Sequence, residues 1–376
     1  MEEFLKLCAK DIFDKHATRF TQVSIIFPSK RAIVFFKKHL SSITTAPIFL
    51  PKLITIQEFF LSNQTSKITE KLILVHTLHS YYIQKTKSSE KIDDFYSWGE
   101  MILNDFDDID KYLIQAQDLF KNLASIKEFE DTFSYLDNEQ IEIISRFWNT
   151  IKKQDQSEIQ IKFSSIWQIL GDLYTDFKNH LELQNQSYEG MAIRNFVENL
   201  DLHATTTFKN QTYIFIGFNA LNSCETKLFK FLQNRKQAYF YWDYDSYYTT
   251  KNHEAGYFTI KNCSEFPNEL GEEHFNNFLK PKNINIIKTP NKISQIKQCS
   301  SWINEISKTN VTLESSAIIL AEEQLLIPLI QSIPSEIPYN ISLGYPIKST
   351  LIYALFEGIC NLNQNRKNKT YYYKDI

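Results

Sequence analysis

Glycine is nearly missing from this sequence. Eight occur in 376 residues, against an average of roughly 7% of positions, and the first, Gly99, falls inside a stretch of helical periodicity. No glycine is followed by lysine, and no two are spaced as G-x-G. A phosphate cradle of the G-x-x-x-x-G-K-[ST] kind needs glycines so that backbone N–H groups can approach the phosphates. The scarcity therefore excludes ATP hydrolysis by a Walker site and dinucleotide binding. A G-x-S-x-G nucleophile elbow is missing too, which removes that route to a serine hydrolase. The five cysteines (Cys8, Cys224, Cys263, Cys299, Cys360) are scattered with no C-x-x-C, so neither a zinc nor an iron–sulfur site is indicated and a reducing compartment is expected. No apolar run approaches the roughly 20 residues of a membrane helix. The start, Met1 to His16, carries acidic residues and no long apolar core, unlike a secretory signal. A cytoplasmic location without membrane contact is the expectation. Net charge is only −3, so any nucleic-acid binding must rest on a local patch rather than a global field.

What is present is ordinary globular material. Hydrophobic residues make up 43% and charged residues 23% of the chain, and the length suggests two or three packed units. An amphipathic helix (Phe4, Leu5, Leu7, Ile12, Phe13) precedes a β-type run from Gln22 to Phe27. Ser29 stands at an N-cap position before a helix over Ala32–Leu40. Ile48–Leu50 reads as a short strand. Thr55, with Glu58 three residues on, reads as a capping box for a helix through Phe60. From Thr69 to Leu200 the periodicity is helical throughout, including Leu72–Tyr82, Trp98–Leu113, Ile141–Ile151 and Phe163–Leu183, with no strand expected. Thr212–Ile216, closed by Gly217, reads as a strand buried on both faces. A helix over Cys224–Leu232 and a strand over Ala238–Trp242 follow. Tyr244–Lys282 is polar and without period, and is read as loop or linker. Strands at Ile284–Ile287 and Ser316–Leu320 alternate with helices at Ser294–Ile306, Glu323–Ile330 and Thr350–Leu362, a βαβα pattern. The sequence stops at Tyr371–Ile376 without a turn or long polar tail, so a longer parent protein is expected.

Several residue groups invite a chemical role. Glu225-Thr-Lys227 matches half of a PD-(D/E)XK nuclease motif, but it opens a helix, where an acid is favoured by the helix dipole. His76 and His79 share a helix face without an evident third metal ligand. Asp105, Asp107, Asp108 and Asp110 form an acidic run on one helix, read as a solvated face. Neither a catalytic residue, nor a metal site, nor a cofactor site emerges. What remains is Ser29-Lys30-Arg31 after a strand and at a helix start, where N–H groups, a hydroxyl and two cations suit a backbone phosphate. Lys37 and Lys38 add charge about two turns along the same helix. On spacing alone, an N-cap flanked by surface cations is the simpler account.

The order of features, and some of the residues, resemble a known family. A strand–Pro-Ser-Lys–helix opening, a long helical stretch, a return to buried strands and a second α/β unit follow the plan of superfamily I helicases. Ile26-Phe-Pro-Ser-Lys-Arg-Ala32, Trp98-Gly with Asp105-Phe-Asp-Asp-Ile-Asp-Lys-Tyr-Leu113, Tyr188-Glu-Gly-Met-Ala-Ile-Arg194, Ile214-Phe-Ile-Gly-Phe-Asn-Ala-Leu221 and Gly344-Tyr-Pro-Ile-Lys348 resemble segments of AddB-like subunits of helicase–exonucleases. These occur in Bacteroidetes as PD-(D/E)XK nuclease family proteins whose helicase portion is inactivated. The match departs from active helicases where it matters: the Walker A loop is missing, and the Walker B place reads Ile216-Gly217 with no Asp-Glu pair.

The resemblance implies an α/β fold of RecA-like lobes with a large all-α insertion. Residues 1–68 and 201–250 would form a split domain 1A, 69–200 the helical domain 1B, 251–282 a linker, and 283–376 the start of domain 2A. It implies a non-hydrolysing scaffold in DNA double-strand-break processing, guiding single-stranded DNA toward a nuclease located beyond residue 376. Ser29, Lys30 and Arg31, supported by Lys37 and Lys38, would contact the strand, and a partner helicase or ATPase subunit is implied. The alternative is a protein-interaction scaffold that docks that partner without touching DNA.

Overall fold

The structure is a computed structural model that describes residues 3–121, 158–204, 206–209, 211–250, 253–308, 313, 316–366 and 371. The chain forms two compact units, Met1–Lys280 and Pro281–Ile376. The architecture is mixed α/β around a parallel sheet.

In the first unit, helix α1 (Phe4–His16) leads into strand β1 (Val23–Phe27), helix α2 (Lys30–Ile43), strand β2 (Lys52–Thr55) and helix α3 (Ile56–Asn63). After the helical stretch, the chain returns through β5 (Thr212–Ile216) and β6 (Ala238–Tyr241). All four strands are parallel, in the order β2-β1-β5-β6. Val23 pairs with Thr212 and Ile26 with Phe215, so β1 and β5 are neighbours despite the chain between them. Strand alternation divides the apolar residues between two faces. Ile25, Phe27, Ile214, Ile216 and Tyr241 pack with Cys8, Ile12, Phe36 and Leu40 of α1 and α2. Ile26, Tyr213, Phe215 and Phe240 pack on the opposite side with Phe59, Phe60, Phe196 and Phe229. A parallel sheet covered by helices on both faces explains why β1 is buried along its whole length.

The helical stretch runs through α4 (Lys71–Thr86), α5 (Ile92–Lys111), α6 (Ala116–Lys121), α7 (Glu158–Leu183) and α8 (Glu189–Glu198). Leu78, Phe95, Phe106, Leu173 and Phe177 form its core. The expected uninterrupted helix needs one correction. Strand β3 (Lys67–Ile68) pairs in parallel with β4 (Gln186–Ser187), a two-residue ladder too short to leave a period in the sequence. The expected helical run Ile141–Ile151 lies outside the described residues.

Other expectations also shift. Ile48–Leu50 is not a strand; the edge strand is Lys52–Thr55, and the apolar residues before it are exposed. Pro51, which has no N–H to donate, ends that run, and pairing with β1 begins at Lys52. Within Tyr244–Lys282, read as loop or linker, helices occupy Ser246–Thr250 and Tyr257–Glu265. Phe266 and Phe275 in that stretch are buried against the two faces of the sheet.

In the second unit, helices form at Lys292–Ser307, Leu326–Ser332 and Leu351–Gln364, the last capped by the Thr350 side chain. The expected strands at Ile284–Ile287 and Ser316–Leu320 are not formed among the described residues. A β-rich segment becomes a strand only with a neighbour to bond, and Ile286 and Ile319 are largely exposed. Among the described residues, no helix is long and apolar enough to cross a membrane.

Candidate nucleic-acid interface

Only Pro28 and Ser29 separate β1 from α2. Ser29 is extended (φ −145°, ψ 153°), and its Oγ accepts from the Ala32 N–H at 3.4 Å. The turn is therefore an ordinary capped helix start, too short to wrap a triphosphate. In the sheet order, the chain moves outward to β2 on one side of β1 and to β5 and β6 on the other. The β1–β5 junction is thus the topological switch point, where open α/β sheets bind ligands at their carboxyl ends. On the β5 side of it, Gly217 turns the chain with φ +74°, a left-handed conformation that favours glycine.

From this start, α2 presents a polar outer face. Its buried residues are Ile33, Phe36 and Leu40. At 3.6 residues per turn, Lys30, Arg31, Lys37 and Lys38 fall together on the opposite side, with Val34 between them, and all five are exposed. Lys30 Nζ pairs with Glu58 Oε1 at 3.2 Å. That glutamate also closes the capping box of α3: Thr55 Oγ1 accepts from the Glu58 N–H, and Glu58 Oε2 accepts from the Thr55 N–H at 2.9 Å. The Thr55 N–H and the Lys30 ammonium hold the Glu58 carboxyl below its ordinary value. Toward the other end of α2, Lys37, Lys38, Leu40, Ser41 and Thr44 form one side of a groove of about 360 Å³, with Ile48 and Leu50 on the other.

The motif residues thus share one helix and its cap, and Lys30 reaches α3 through Glu58. Sequence reading missed two components of the surface. One is its charge purity: from Lys15 to Gln57 the chain has seven Lys and Arg and no Asp or Glu, although the whole chain is net negative. Counting charge by segment finds this. The other is exposed apolar surface at Val34, Phe35 and Ile48–Leu50, which no pattern separates from a buried strand.

The remaining candidates resolve differently. Glu225 is the N3 residue of a capping box with Asn222, the N-cap of helix α9 (Ser223–Asn234). Burial pushes its carboxyl up to about 7. His79 Nε2 lies 2.9 Å from the Glu90 carbonyl oxygen, with its ring against Phe95, while His76 is exposed. No group of three or more metal-ligating side chains is found among the described residues.

Of the acidic run only Asp108 is exposed; Asp105 and Asp107 are half-buried and Asp110 is buried, so the run is not the solvated face expected. Asp110 is 0% exposed. Its Oδ1 accepts from Tyr174 at 2.5 Å, Lys178 at 3.0 Å and Arg194 at 3.3 Å, and its Oδ2 from Tyr188. Asp107 accepts from the Gly190 N–H at 2.5 Å and pairs with Lys111 at 2.7 Å, and Lys111 pairs with Glu189 at 3.0 Å. The segments Asp105–Leu113 and Tyr188–Arg194 are therefore one interlocked polar junction. Asp110 and its side-chain partners are 64 or more residues apart in the chain, so local periodicity could not reveal the junction. Burial and the adjacent carboxylate push the Tyr174 hydroxyl well above its ordinary value. Burial pushes the Cys224 thiol up to about 12. Both groups stay protonated, the tyrosine as a hydrogen-bond donor and the cysteine as an inert packing residue.

No protein-family model matches the chain, and no curated protein matches it.

Proposed function

We propose that this chain is the helicase-like, non-hydrolysing portion of an AddB-type helicase–nuclease, and that α2 guides single-stranded DNA along its outer face. On this proposal the four-stranded sheet and its covering helices are a RecA-like lobe, and the helices between β2 and β5 are its insertion. The observation that carries the proposal is the single cationic face of α2, which begins at the switch point of a parallel sheet and lies in a segment, Lys15 to Gln57, whose sequence has no Asp or Glu. Four cations on one face attract a polyanion, and the capped start of α2 suits a phosphate. The two-residue connection after β1, without glycine, supports the non-hydrolysing character.

The test is binding of a fluorescent 20-mer of deoxythymidine across a salt series. We expect salt-dependent binding in which Lys30→Ala with Arg31→Ala weakens affinity and makes the slope of log K against log salt shallower by about 1.4. Unchanged affinity and slope in that double variant would remove α2 from the DNA path. Tight binding of magnesium–ATP would overturn the non-hydrolysing assignment.

A second reading, a scaffold that docks a partner ATPase subunit without DNA contact, is favoured by one observation. In the second unit, the helix Leu351–Gln364 exposes Leu351, Ile352, Leu355 and Phe356 together, Leu351 to 90%, and apolar faces of that kind mark interaction sites. Absence of DNA binding at physiological salt, with a stable complex to the partner, would select it.

A further inference from the structure

The outer face of α2 is not merely basic. Its cations run from Lys30 to Lys38, and beyond them lies the groove between the C-terminal half of the helix and Ile48–Leu50. From Lys30 to Ser41 the helix rises roughly 16 Å, more than one phosphate-to-phosphate step, so the surface is built for an extended anion rather than a single one. A purely phosphate-binding surface has no use for apolar side chains in water. Here Val34, Phe35, Ile48 and Leu50 are exposed, and Phe49 is exposed to 83%. Leu40, Ile48 and Leu50 give the groove an aliphatic floor, Lys37 and Lys38 border it, and Ser41 and Thr44 bring hydroxyls. Lys52 follows two residues after Leu50 and is exposed.

One ligand class offers regular negative charge and flat apolar faces in the same chain: a single strand whose bases are not paired. We propose that the exposed segment Ile48–Leu50 beside this groove receives unpaired bases, with Phe49, which stands out from the segment rather than lining the groove, as the stacking surface and Lys37 and Lys38 on the flanking phosphates. This inference rests on the strand-guiding function proposed above and adds what that function leaves open, namely which residues touch bases and why a single strand is preferred. In a duplex the base faces are buried in the stack, so Phe49 and the groove floor have nothing to meet and only the charge attraction remains. An acidic peptide with an apolar anchor is disfavoured by the length of the cationic face, which continues two turns past the groove toward Ser29.

The test uses the full chain and three probes labelled alike: a 20-mer of deoxythymidine, a 20-mer of the same backbone with abasic sites throughout, and a 20-base-pair duplex. Base stacking on an aromatic side chain contributes roughly 1–3 kcal/mol per base. We therefore expect the thymidine strand to bind more tightly than the abasic strand by roughly fivefold or more, and Phe49→Ala to abolish that advantage while leaving the salt slope unchanged. Lys37→Ala with Lys38→Ala should instead lower both affinity and slope. Because Phe49 is largely exposed, its removal leaves the core intact, and an unchanged melting temperature checks this. Equal binding of the thymidine and abasic strands, with Lys30→Ala and Arg31→Ala still weakening both, would overturn the base-binding groove and leave the guiding function standing. No binding of any strand would overturn both. Phe49→Ala weakening attachment to phosphatidylserine vesicles or to an acidic peptide, without changing thymidine binding, would reassign the groove to that partner.

Discussion

The hydroxyl of Tyr174, on α7, donates to Oδ1 of Asp110, on α5, at 2.5 Å, and both groups are buried. The same carboxylate takes Tyr188, Lys178 and Arg194, so its charge is compensated on every side. Arg194 continues to the Ile114 carbonyl at 2.9 Å and to Glu198 at 2.8 Å. Removing one partner of such a buried group leaves the others unpaired, at a cost of about 3–5 kcal/mol. Asp110→Ala is expected to destabilise the first unit by that order. Tyr174→Phe, which deletes the bond to Asp110 and the one the hydroxyl accepts from Lys178, should cost less, about 1.5–3 kcal/mol. Urea denaturation of both variants checks the ranking, and equal, small effects would show that the junction is not a stabilising centre.

Gly190 lets the start of α8 lie directly against α5. A Cβ there would run into the backbone carbonyl of Asp107 and the carboxylate that accepts the Gly190 N–H. Backbone cannot move aside as a flexible side-chain end can. Gly190→Ala is expected to cost about 1–3 kcal/mol through overpacking, despite alanine's better helix propensity. A melting temperature at or above that of the parent chain would contradict the close approach.

Burial, with Asp108 nearby, pushes the Asp105 carboxyl up to about 7. A carboxyl whose folded value exceeds its unfolded value of about 4 binds more protons when folded. Stability therefore falls as pH rises from about 4 to about 7, and levels off above that. Asp105→Asn should flatten this fall and, at pH 8, stabilise the chain by on the order of 1 kcal/mol. Parallel stability–pH curves for the two proteins would mean that Asp105 ionises freely. Glu225, also raised to about 7, contributes a fall of the same sign, so the slope is reduced rather than abolished.

Glu58 holds Lys30 by an ion pair while it caps α3. Glutamine keeps the capping geometry but releases the ammonium. Glu58→Gln should leave stability nearly unchanged and raise affinity for a thymidine 20-mer about twofold to fivefold at low salt, in line with one surface ion pair. The gain should vanish in the Lys30→Ala background, and persistence there would separate Glu58 from the binding face.

Legibility followed the range over which a signal acts. Ser29 and the Thr55–Glu58 box are visible in sequence because the cap and its acceptor lie three residues apart. Thr212–Ile216 is legible because a strand buried on both faces is apolar at nearly every position. Ile48–Leu50 carries the same apolar composition yet lies exposed, since composition alone does not say which run finds a hydrogen-bonding neighbour. Ile284–Ile287 and Ser316–Leu320 fail for the same reason. Asp110 reads as surface because the residues that bury it, Tyr174, Lys178, Tyr188 and Arg194, are brought in by tertiary packing. At the interface, the cations of α2 are plain in the sequence, whereas the exposure of Phe49 is a property of the fold.

The ladder that joins Val23 to Thr212 also sets a timetable. During synthesis at roughly 5–20 residues per second, β1 leaves the ribosome with only β2 for company, and one side of it stays open for on the order of ten seconds or longer. Its run of Val, Ile and Phe must be sheltered for that interval, by α1 and α2 or by a chaperone, before β5 arrives to close the gap. Slowing elongation between the two strands should lower the soluble yield without altering the finished protein.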